Sequence, residues 1–178
     1  MIPTSPPIVL TTPRLVLRRL ATQDAEFILE LLTQPSFVRY IGDKGVRTAD
    51  DARQYLETGP LASYARFGFG LYLVELAETS ERIGICGLLK RDTLDDVDLG
   101  FALLERFWSR GFAFESASAV LSYGRQALGL RRIVAITSPD NAASIALLAK
   151  LGFRFERLAR LSPGEPEVRL FCWTAENV

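Results

Sequence analysis

One stretch, residues 97–115, restricts the possible folds of this chain more than any other segment. It begins with strand-like alternation, in which Asp98, Gly100 and Ala102 share one face and larger apolar residues occupy the other. A short loop containing Gly111 then leads into apolar residues at helical spacing. The first N–H groups of a helix have no intrahelical acceptor, and the helix dipole is positive there. A strand, a glycine turn and a helix in this order therefore predict a phosphate-binding point.

The loop in this stretch also resembles a known motif. Trp108-Ser109-Arg110-Gly111-Phe112-Ala113 resembles the acyl-CoA pyrophosphate loop of the GNAT acyltransferases, with Gln or Arg first, Gly fourth and Gly or Ala sixth. The tryptophan, the Phe-Ala pair and the acidic residue that follows resemble the branch that contains the ribosomal-protein N-terminal acetyltransferases. A glycine turn between a strand and a packing helix is the structural alternative for the loop taken alone.

A second, more specific match lies about thirty residues further along, with one strand between. Asn141 and Ser144, six intervening residues and then Leu-Gly-Phe at 151–153 resemble the GNAT helix beside the pantetheine arm of the cofactor. Thr12-Pro13-Arg14-Leu15 resembles the opening of the same branch. The resemblance covers nearly the whole chain from Thr12 and implies an acetyl-CoA-dependent N-acetyltransferase. Acetyl-CoA is then the acyl-donor substrate.

The composition limits the chemistry and the partners. The 178 residues contain 21 Lys plus Arg and 21 Asp plus Glu, so no net charge attracts nucleic acid or an anionic membrane. The absence of histidine excludes Ser-His-Asp and Cys-His catalysis and zinc sites that use histidine, and no metal site is predicted. Cys86 and Cys172 lie in apolar strand-like runs and are interpreted as small buried residues. No apolar run reaches the length of a membrane span and the N-terminus lacks a secretory pattern, so a cytoplasmic protein is expected.

The pattern predicts a single α/β domain over 1–178, with a mixed, largely antiparallel central sheet and helices on both sides. Residues 1–12 are expected to be an extended lead-in, and residues 34–48 an irregular segment. Strands are predicted at 14–18, 69–76, 82–89, 97–104, 132–137, 153–161 and 167–173. Helices are predicted from Thr22, from Thr48 or Asp50 to Gly59-Pro60, after the Gly111 loop as far as Gly129, and from Asp140 or Asn141 to Gly152. The charged turn 91–96 is interpreted as solvated.

The resemblance implies a set of residues that bind acetyl-CoA. The backbone amides of Ser109, Arg110, Gly111, Phe112, Ala113 and Phe114 hold the pyrophosphate, and Arg110 either adds charge or is solvated. If the central strand and strand 132–137 splay apart, as in the family, the backbones of Phe101, Ala102, Leu103 and Leu104 face the ligand. Asn141 either hydrogen-bonds the pantetheine arm or simply caps its helix. Ser144 either protonates the departing thiolate or bonds its own backbone.

The sequence departs from the family pattern at several positions. Leu148 stands where many members carry a tyrosine as the leaving-group acid, Ser109 where glycine is usual, and Phe114 where a hydroxyl residue is usual. Asp98 stands where the family often has glutamate, and it is either a base acting through water or an edge charge facing solvent. These departures leave open a non-catalytic acyl-CoA-binding module as the alternative to an enzyme.

The acceptor is expected to be an amine, either a protein N-terminus, a polyamine or another small molecule. In the family, the segment around 34–48 forms part of the acceptor wall, so Arg39, Tyr40 and Arg47 are candidate substrate-binding residues. They are equally well explained as parts of a connection. An exposed edge strand can pair with a second copy or stay free, so the chain is expected to be a monomer or a homodimer.

Overall fold

A computed structural model describes residues 6–175, which contain a single eight-stranded sheet. The strands are Ile8–Thr11 (β1), Leu15–Arg19 (β2), Leu71–Leu76 (β3), Arg82–Leu89 (β4), Asp98–Leu103 (β5), Arg132–Thr137 (β6), Arg154–Ala159 (β7) and Val168–Thr174 (β8). Their spatial order is β1-β2-β3-β4-β5-β6-β8-β7. Every neighbouring pair is antiparallel except β5 and β6, which are parallel. The predicted mixed, largely antiparallel sheet is confirmed.

Helices cover both faces of this sheet. They are Ala25–Leu32 (α1), Pro35–Tyr40 (α2), Ala49–Leu56 (α3), Ala62–Phe67 (α4), Phe112–Gln126 (α5) and Ala142–Lys150 (α6). Helix α5 packs on the face that carries Leu88, because Gly124 approaches the side chains of Leu88 and Ile133. Leu89, on the opposite face of β4, lies beside residues of α3 and α4. The helices on both sides are therefore confirmed.

The central strand and the helix after it pack as the alternation predicts. Leu99 and Leu103 point to the face of α5 and are buried, and α5 buries one apolar stripe against them. Cys86 and Cys172 are both buried, and burial raises the pKa of the Cys86 thiol to about 12. A thiol with so high a pKa is not ionised at neutral pH, which agrees with a packing role.

Three predicted elements differ from the structure. The expected extended lead-in forms β1 over residues 8–11, where backbone pairing with β2 adds an edge strand, and residues 1–5 of that segment lie outside the described part of the chain. The expected irregular segment contains α2, whose first residue is Pro35, a favourable position for a residue without an N–H group. The second helix does not end at Gly59-Pro60. It continues through a π-helical turn at 57–61 into α4, because the wider turn accommodates Pro60.

The described residues 6–175 contain no helix that is long and apolar enough to cross a membrane.

Candidate active site

The loop between β5 and α5 presents a row of unused backbone N–H groups. Gly111 precedes α5 with a φ of +81° and provides no side-chain cap. Within residues 6–175, none of the six successive amides from Ser109 to Phe114 has a hydrogen-bond acceptor, and the first amide of this helix with one is that of Glu115, which donates to Gly111 O at 3.0 Å. Six free N–H groups at the positive end of a 15-residue helix are suited to an anion such as a pyrophosphate.

The parallel strands β5 and β6 pair at one point and then separate. Asp98 is aligned with Val134, and Val134 N donates to Val97 O at 2.9 Å; no further aligned pair joins the two strands in the described chain. Backbone groups alternate along a strand, so those of Phe101 and Leu103 face the same side as those of Val97, toward β6. The gap beside Phe101 is therefore lined by backbone groups that β6 does not satisfy.

The same alternation corrects part of the expected ligand-binding backbone. Leu104 N donates to Ile83 O at 2.9 Å, and Leu104 O accepts from Phe107 N. Ala102 faces β4 as well, aligned with Ile85. The backbones of Ala102 and Leu104 therefore point away from the gap, because backbone groups on alternate residues of a strand face opposite edges of that strand.

Trp108 and Ser109 fix the shape of the loop. The indole Nε1 of Trp108 donates to Leu103 O at 2.9 Å, which ties the loop back to β5. Ser109 has a φ of +59°, a left-handed conformation that a residue with a side chain rarely adopts. This explains why glycine is usual at this position. The serine side chain makes the left-handed backbone less favourable in free energy, but the backbone N–H is still present to bind a ligand.

A cluster around Glu115 holds the N-terminal segment against the loop. The carboxylate of Glu115 accepts from Thr12 Oγ1 at 2.6 Å, from Arg14 N at 3.0 Å and from Arg14 Nε at 2.6 Å. The guanidinium of Arg14 also donates to Arg110 O at 3.0 Å and lies 4.5 Å from the centre of the Phe112 ring. Although desolvation opposes it, these hydrogen bonds lower the pKa of Glu115. We call Thr12, Arg14 and Glu115 the Glu115 clamp. In the sequence these three residues were noticed only as part of the resemblance to the family.

The first turn of α6 contributes Asn141 and Ser144. The side chain of Asn141 accepts from Ser144 N at 3.1 Å, so Asn141 is an N-cap, and its amide nitrogen remains without a partner in the described residues. The hydroxyl of Ser144 makes no hydrogen bond with its own helix, so the backbone-bonded alternative does not hold there. Leu148 is fully buried in the main core and has no proton to donate.

Asp98 is buried instead of facing solvent. Its exposure is 1%, and both carboxylate oxygens accept from Arg91 Nε, at 3.1 and 3.2 Å. Desolvation raises the pKa of Asp98 and the charge of Arg91 opposes that shift. The turn 91–96 is likewise more than a solvated connection, because Leu94 is buried and Lys90 donates to the Leu94 carbonyl at 2.5 Å.

Of the three candidate acceptor residues, Arg39 and Tyr40 contact each other, whereas Arg47 has a separate partner. Arg39 Nη2 pairs with Asp140 Oδ2 at 3.1 Å and stacks on Tyr40. Gln34 contacts Glu105 after β5, and Asp140 follows β6, so the Arg39 pair spans the open end of the gap. Arg47 is exposed and pairs with Asp43 at 2.5 Å. Their roles toward an acceptor stay predictions.

A cavity of about 280 Å³ lies on the other face of the sheet, near the start of β5. Leu71 and Leu89 form part of its wall, and a Cβ added to Gly100 would lie 2.7 Å from Leu89 and 3.5 Å from Leu71. The cavity therefore lies beside the first residues of β5, on the sheet face to which Asp98 and Gly100 point. Tyr55 of α3 also lines it; the sequence predicted a helix there and indicated no functional role for this residue.

Comparisons with known proteins agree with this geometry. The family model described as an acetyltransferase (GNAT) domain matches residues 14–154. The chain is 34% identical over 153 residues to the uncharacterized N-acetyltransferase YoaA of Bacillus subtilis, covering 85% of this chain and 86% of that protein. It is 25% identical over 163 residues to the [ribosomal protein uS5]-alanine N-acetyltransferase of Escherichia coli, covering 87% and 82%. The structure of an acetyltransferase from Agrobacterium tumefaciens matches with a TM-score of 0.78 and 28% identity over 97% of each chain.

The chain therefore belongs to the GNAT acetyltransferase family, as the two sequence motifs indicated. It is an N-acetyltransferase of that family, and its fold is similar to those of ribosomal-protein N-acetyltransferases among other members.

Proposed function

We propose that this protein transfers the acetyl group of acetyl-CoA to an α-amine by direct attack. The observation that carries the proposal is the row of free amides from Ser109 to Phe114 beside the gap between β5 and β6. In this proposal the amides bind the pyrophosphate, the pantetheine arm lies in the gap, and the thioester reaches the start of β5. The amide nitrogen of Asn141, the backbone of Phe101 and the N–H of Leu103 then provide hydrogen bonds to the arm, since the Leu103 carbonyl already accepts from Trp108.

The transfer needs a neutral amine, a polarised carbonyl and a proton for the departing thiolate. The attacking nitrogen forms the new C–N bond and loses a proton while the C–S bond breaks and the thiolate gains one. Ser144 supplies that proton in our proposal, because its hydroxyl is free and Leu148 cannot serve. Asp98 is held by Arg91 and is buried, so it accepts the proton of the amine through water and not by direct contact.

The weak provision for deprotonation favours an α-amine over a lysine side chain. A free α-amine titrates near ~7.7–8.0 and lysine near ~10.4. At pH 7 roughly a tenth of α-amines are already neutral, against well under a thousandth of lysines. The E. coli relative that acetylates a ribosomal-protein alanine is consistent with this acceptor class.

The test measures CoA release with matched peptides that offer either a free α-amine or a lysine side chain, between pH 6 and pH 10. We expect a higher kcat/KM for the α-amine at pH 7, with the difference shrinking as the pH rises toward the lysine pKa. Asp98→Asn is expected to reduce activity less with the α-amine than with lysine. Preference for the lysine peptide at pH 7 would contradict the proposal, and binding of acetyl-CoA without turnover on any amine would favour a binding module.

A further inference from the structure

The cavity beside the start of β5 has an unbalanced charge. Two of its wall residues are cationic, Arg66 and Lys90, and none of the described residues that line it is acidic. Arg66 is exposed, stacks at 4.8 Å on Phe67 and forms no ion pair within the described chain. Lys90 is held in place by backbone carbonyls, with Leu94 O at 2.5 Å and Asp95 O at 3.0 Å. Because none of the described lining residues is acidic, the cavity wall offers no carboxylate to bind a cationic ligand.

Arg91 adds a cationic group near this cavity, because it follows the lining residue Lys90 in the chain and lies within electrostatic range of the lining residue Tyr55. Its Nε is bound to Asp98, but its two terminal nitrogens have no hydrogen-bond partner among residues 6–175, and 34% of the side chain is exposed. A guanidinium with both terminal nitrogens free can bind a carboxylate or phosphate through two parallel hydrogen bonds. Asp98 fixes the position of the guanidinium without occupying that edge of it.

Two more polar groups, Tyr55 and Lys44, feel the charge of Arg91. Tyr55 lines the cavity, lies within electrostatic range of Arg91 and has a hydroxyl that bonds to no described residue. Lys44 is an exposed residue of the loop after α2, and partial desolvation together with the charge of Arg91 lowers the pKa of its ammonium. Glu165, from the turn between β7 and β8, is the acidic group that opposes this effect on Lys44. Lys44 and Tyr55 thus both lie within electrostatic range of Arg91. We call the cavity lined by Tyr55, Arg66 and Lys90, together with Lys44 and Arg91 near it, the cationic mouth.

We propose that this mouth selects acceptors in which the reacting amine lies close to an anionic group, a carboxylate or a phosphate. Arg91 and Lys44 bind the anionic group, Tyr55 donates a hydrogen bond to it, and the apolar wall around Leu71 and Leu89 contacts the rest of the acceptor. Polyamines, whose additional ammonium groups would face Arg66, Lys44 and Arg91, are excluded. This inference rests on the proposed acetyl transfer and specifies its acceptor.

The experiment compares two peptides matched in length but opposite in charge, together with two small-molecule amines. Kinetics of CoA release are measured with C-terminally amidated Ala-Glu-Glu-Ala and Ala-Lys-Lys-Ala, with free glutamate and with spermidine. We expect kcat/KM for the acidic peptide to exceed that for the basic peptide about tenfold, because a hydrogen bond to a charged group contributes roughly that factor. Comparing activity with free glutamate and with the acidic peptide shows whether the acceptor is a small amino acid or a protein N-terminus.

Charge-reversal variants test which side chains are responsible. Lys44→Glu and Arg66→Glu should each lower the acidic-to-basic ratio of kcat/KM, whereas Arg125→Glu, at an exposed position of α5 on the opposite face, should not. Circular dichroism confirms folding, and Lys44→Gln and Arg66→Gln are used if a reversal variant does not fold. The inference would be overturned if the Lys44 and Arg66 variants keep the wild-type ratio of kcat/KM. It would also be overturned if kcat/KM for spermidine equals that for the acidic peptide.

A binding measurement separates this inference from the proposed function. Calorimetry with the N-acetylated acidic and basic peptides, in the presence of CoA, reports acceptor-site preference without turnover. If no amine is acetylated but the acidic peptide still binds more tightly, the proposed reaction fails and the anion site remains. If amines are acetylated and both peptides bind equally, the reaction stands and the anion site fails.

Discussion

At the scale of single residues, Gly111 has two separable roles. Its φ of +81° is unfavourable for a residue with a Cβ, and a Cβ there would lie 3.2 Å from Arg14 Nη2. Gly111→Ala should therefore reduce the free energy of unfolding by about 1–2 kcal/mol and also weaken acetyl-CoA binding. A valine would be strained further because it is β-branched.

Gly129 provides a matched control for this prediction. It has a φ of +67°, and a Cβ there would meet nothing within 4 Å. Gly129→Ala should lose a similar amount of stability in urea denaturation while acetyl-CoA affinity, measured by calorimetry, stays unchanged. Wild-type affinity in folded Gly111→Ala would mean that the loop does not bind the acyl donor.

Ser144 allows a second test at this scale. Its amide is capped by Asn141, so Ser144→Ala keeps the helix start and removes only the free hydroxyl. We expect a lower kcat with little change in acetyl-CoA affinity. The reduction should lie near the low end of the ~10²–10⁴-fold typical of positioned acids, because serine is a weak acid. Unchanged kcat under conditions in which chemistry limits the rate would assign Ser144 a structural role only.

At the scale of elements, the Glu115 clamp joins the start of β2 to the first turn of α5. If Arg14 and Glu115 act together to position the loop, Arg14→Gln and Glu115→Gln should each weaken acetyl-CoA binding several-fold. The double variant should then lose less than the sum of the two effects, because both changes break the same contacts. A direct contact between Arg14 and a phosphate makes the opposite prediction for Glu115→Gln, since removing a nearby negative charge would strengthen binding.

The clamp also implies a dependence of stability on pH. The pKa of Glu115 is lowered in the folded protein, so its stabilising contribution is present above the unfolded value of about 4.3. That contribution is lost as the pH falls through the lowered folded value. The difference in unfolding free energy between wild type and Glu115→Gln should therefore be largest near neutral pH and shrink below about pH 4. A difference that does not change with pH would contradict a charged clamp.

At the scale of the whole molecule, one ion network joins the helical layer to the sheet. Arg18 of β2 bonds both oxygens of Asp24 at 2.9 Å and Glu75 of β3 at 2.9 and 3.1 Å. The exposed fractions of the three side chains are 11%, 2% and 14%. Burial opposes the charge of Arg18, but the two carboxylates raise its pKa overall, so it remains charged.

Breaking this network should affect the stability of the entire fold. Arg18→Met leaves Asp24 and Glu75 buried without their main partner, and we expect a loss of about 3–5 kcal/mol in urea denaturation. The exposed pair of Arg53 and Asp50 is the control, and Arg53→Met should change the unfolding free energy by at most about 1 kcal/mol. Equal effects of the two substitutions would show that the network is not central to stability.

Much of the architecture follows from local sequence patterns. The bounds predicted for β4 and β6 match the structure, because a run of alternating or continuous apolar residues between turn residues leaves few alternatives. The motif around Gly111 and the Asn141 helix start were likewise predictable, because a glycine turn and an N-cap are properties of a few adjacent residues. The departures at Leu148 and Ser109 were visible in the sequence as well.

What the tertiary structure decided are the contacts between residues that are far apart in the chain. The separation of β5 from β6, the burial of Asp98 against Arg91 and the Glu115 clamp each depend on how strands and loops meet in space. A charged turn such as 91–96 has the same composition whether it is solvated or holds a buried carboxylate, so the sequence alone could not distinguish the two. Local propensity and periodicity determine the elements, whereas the environment of a charge is set only when distant parts of the chain exclude water around it.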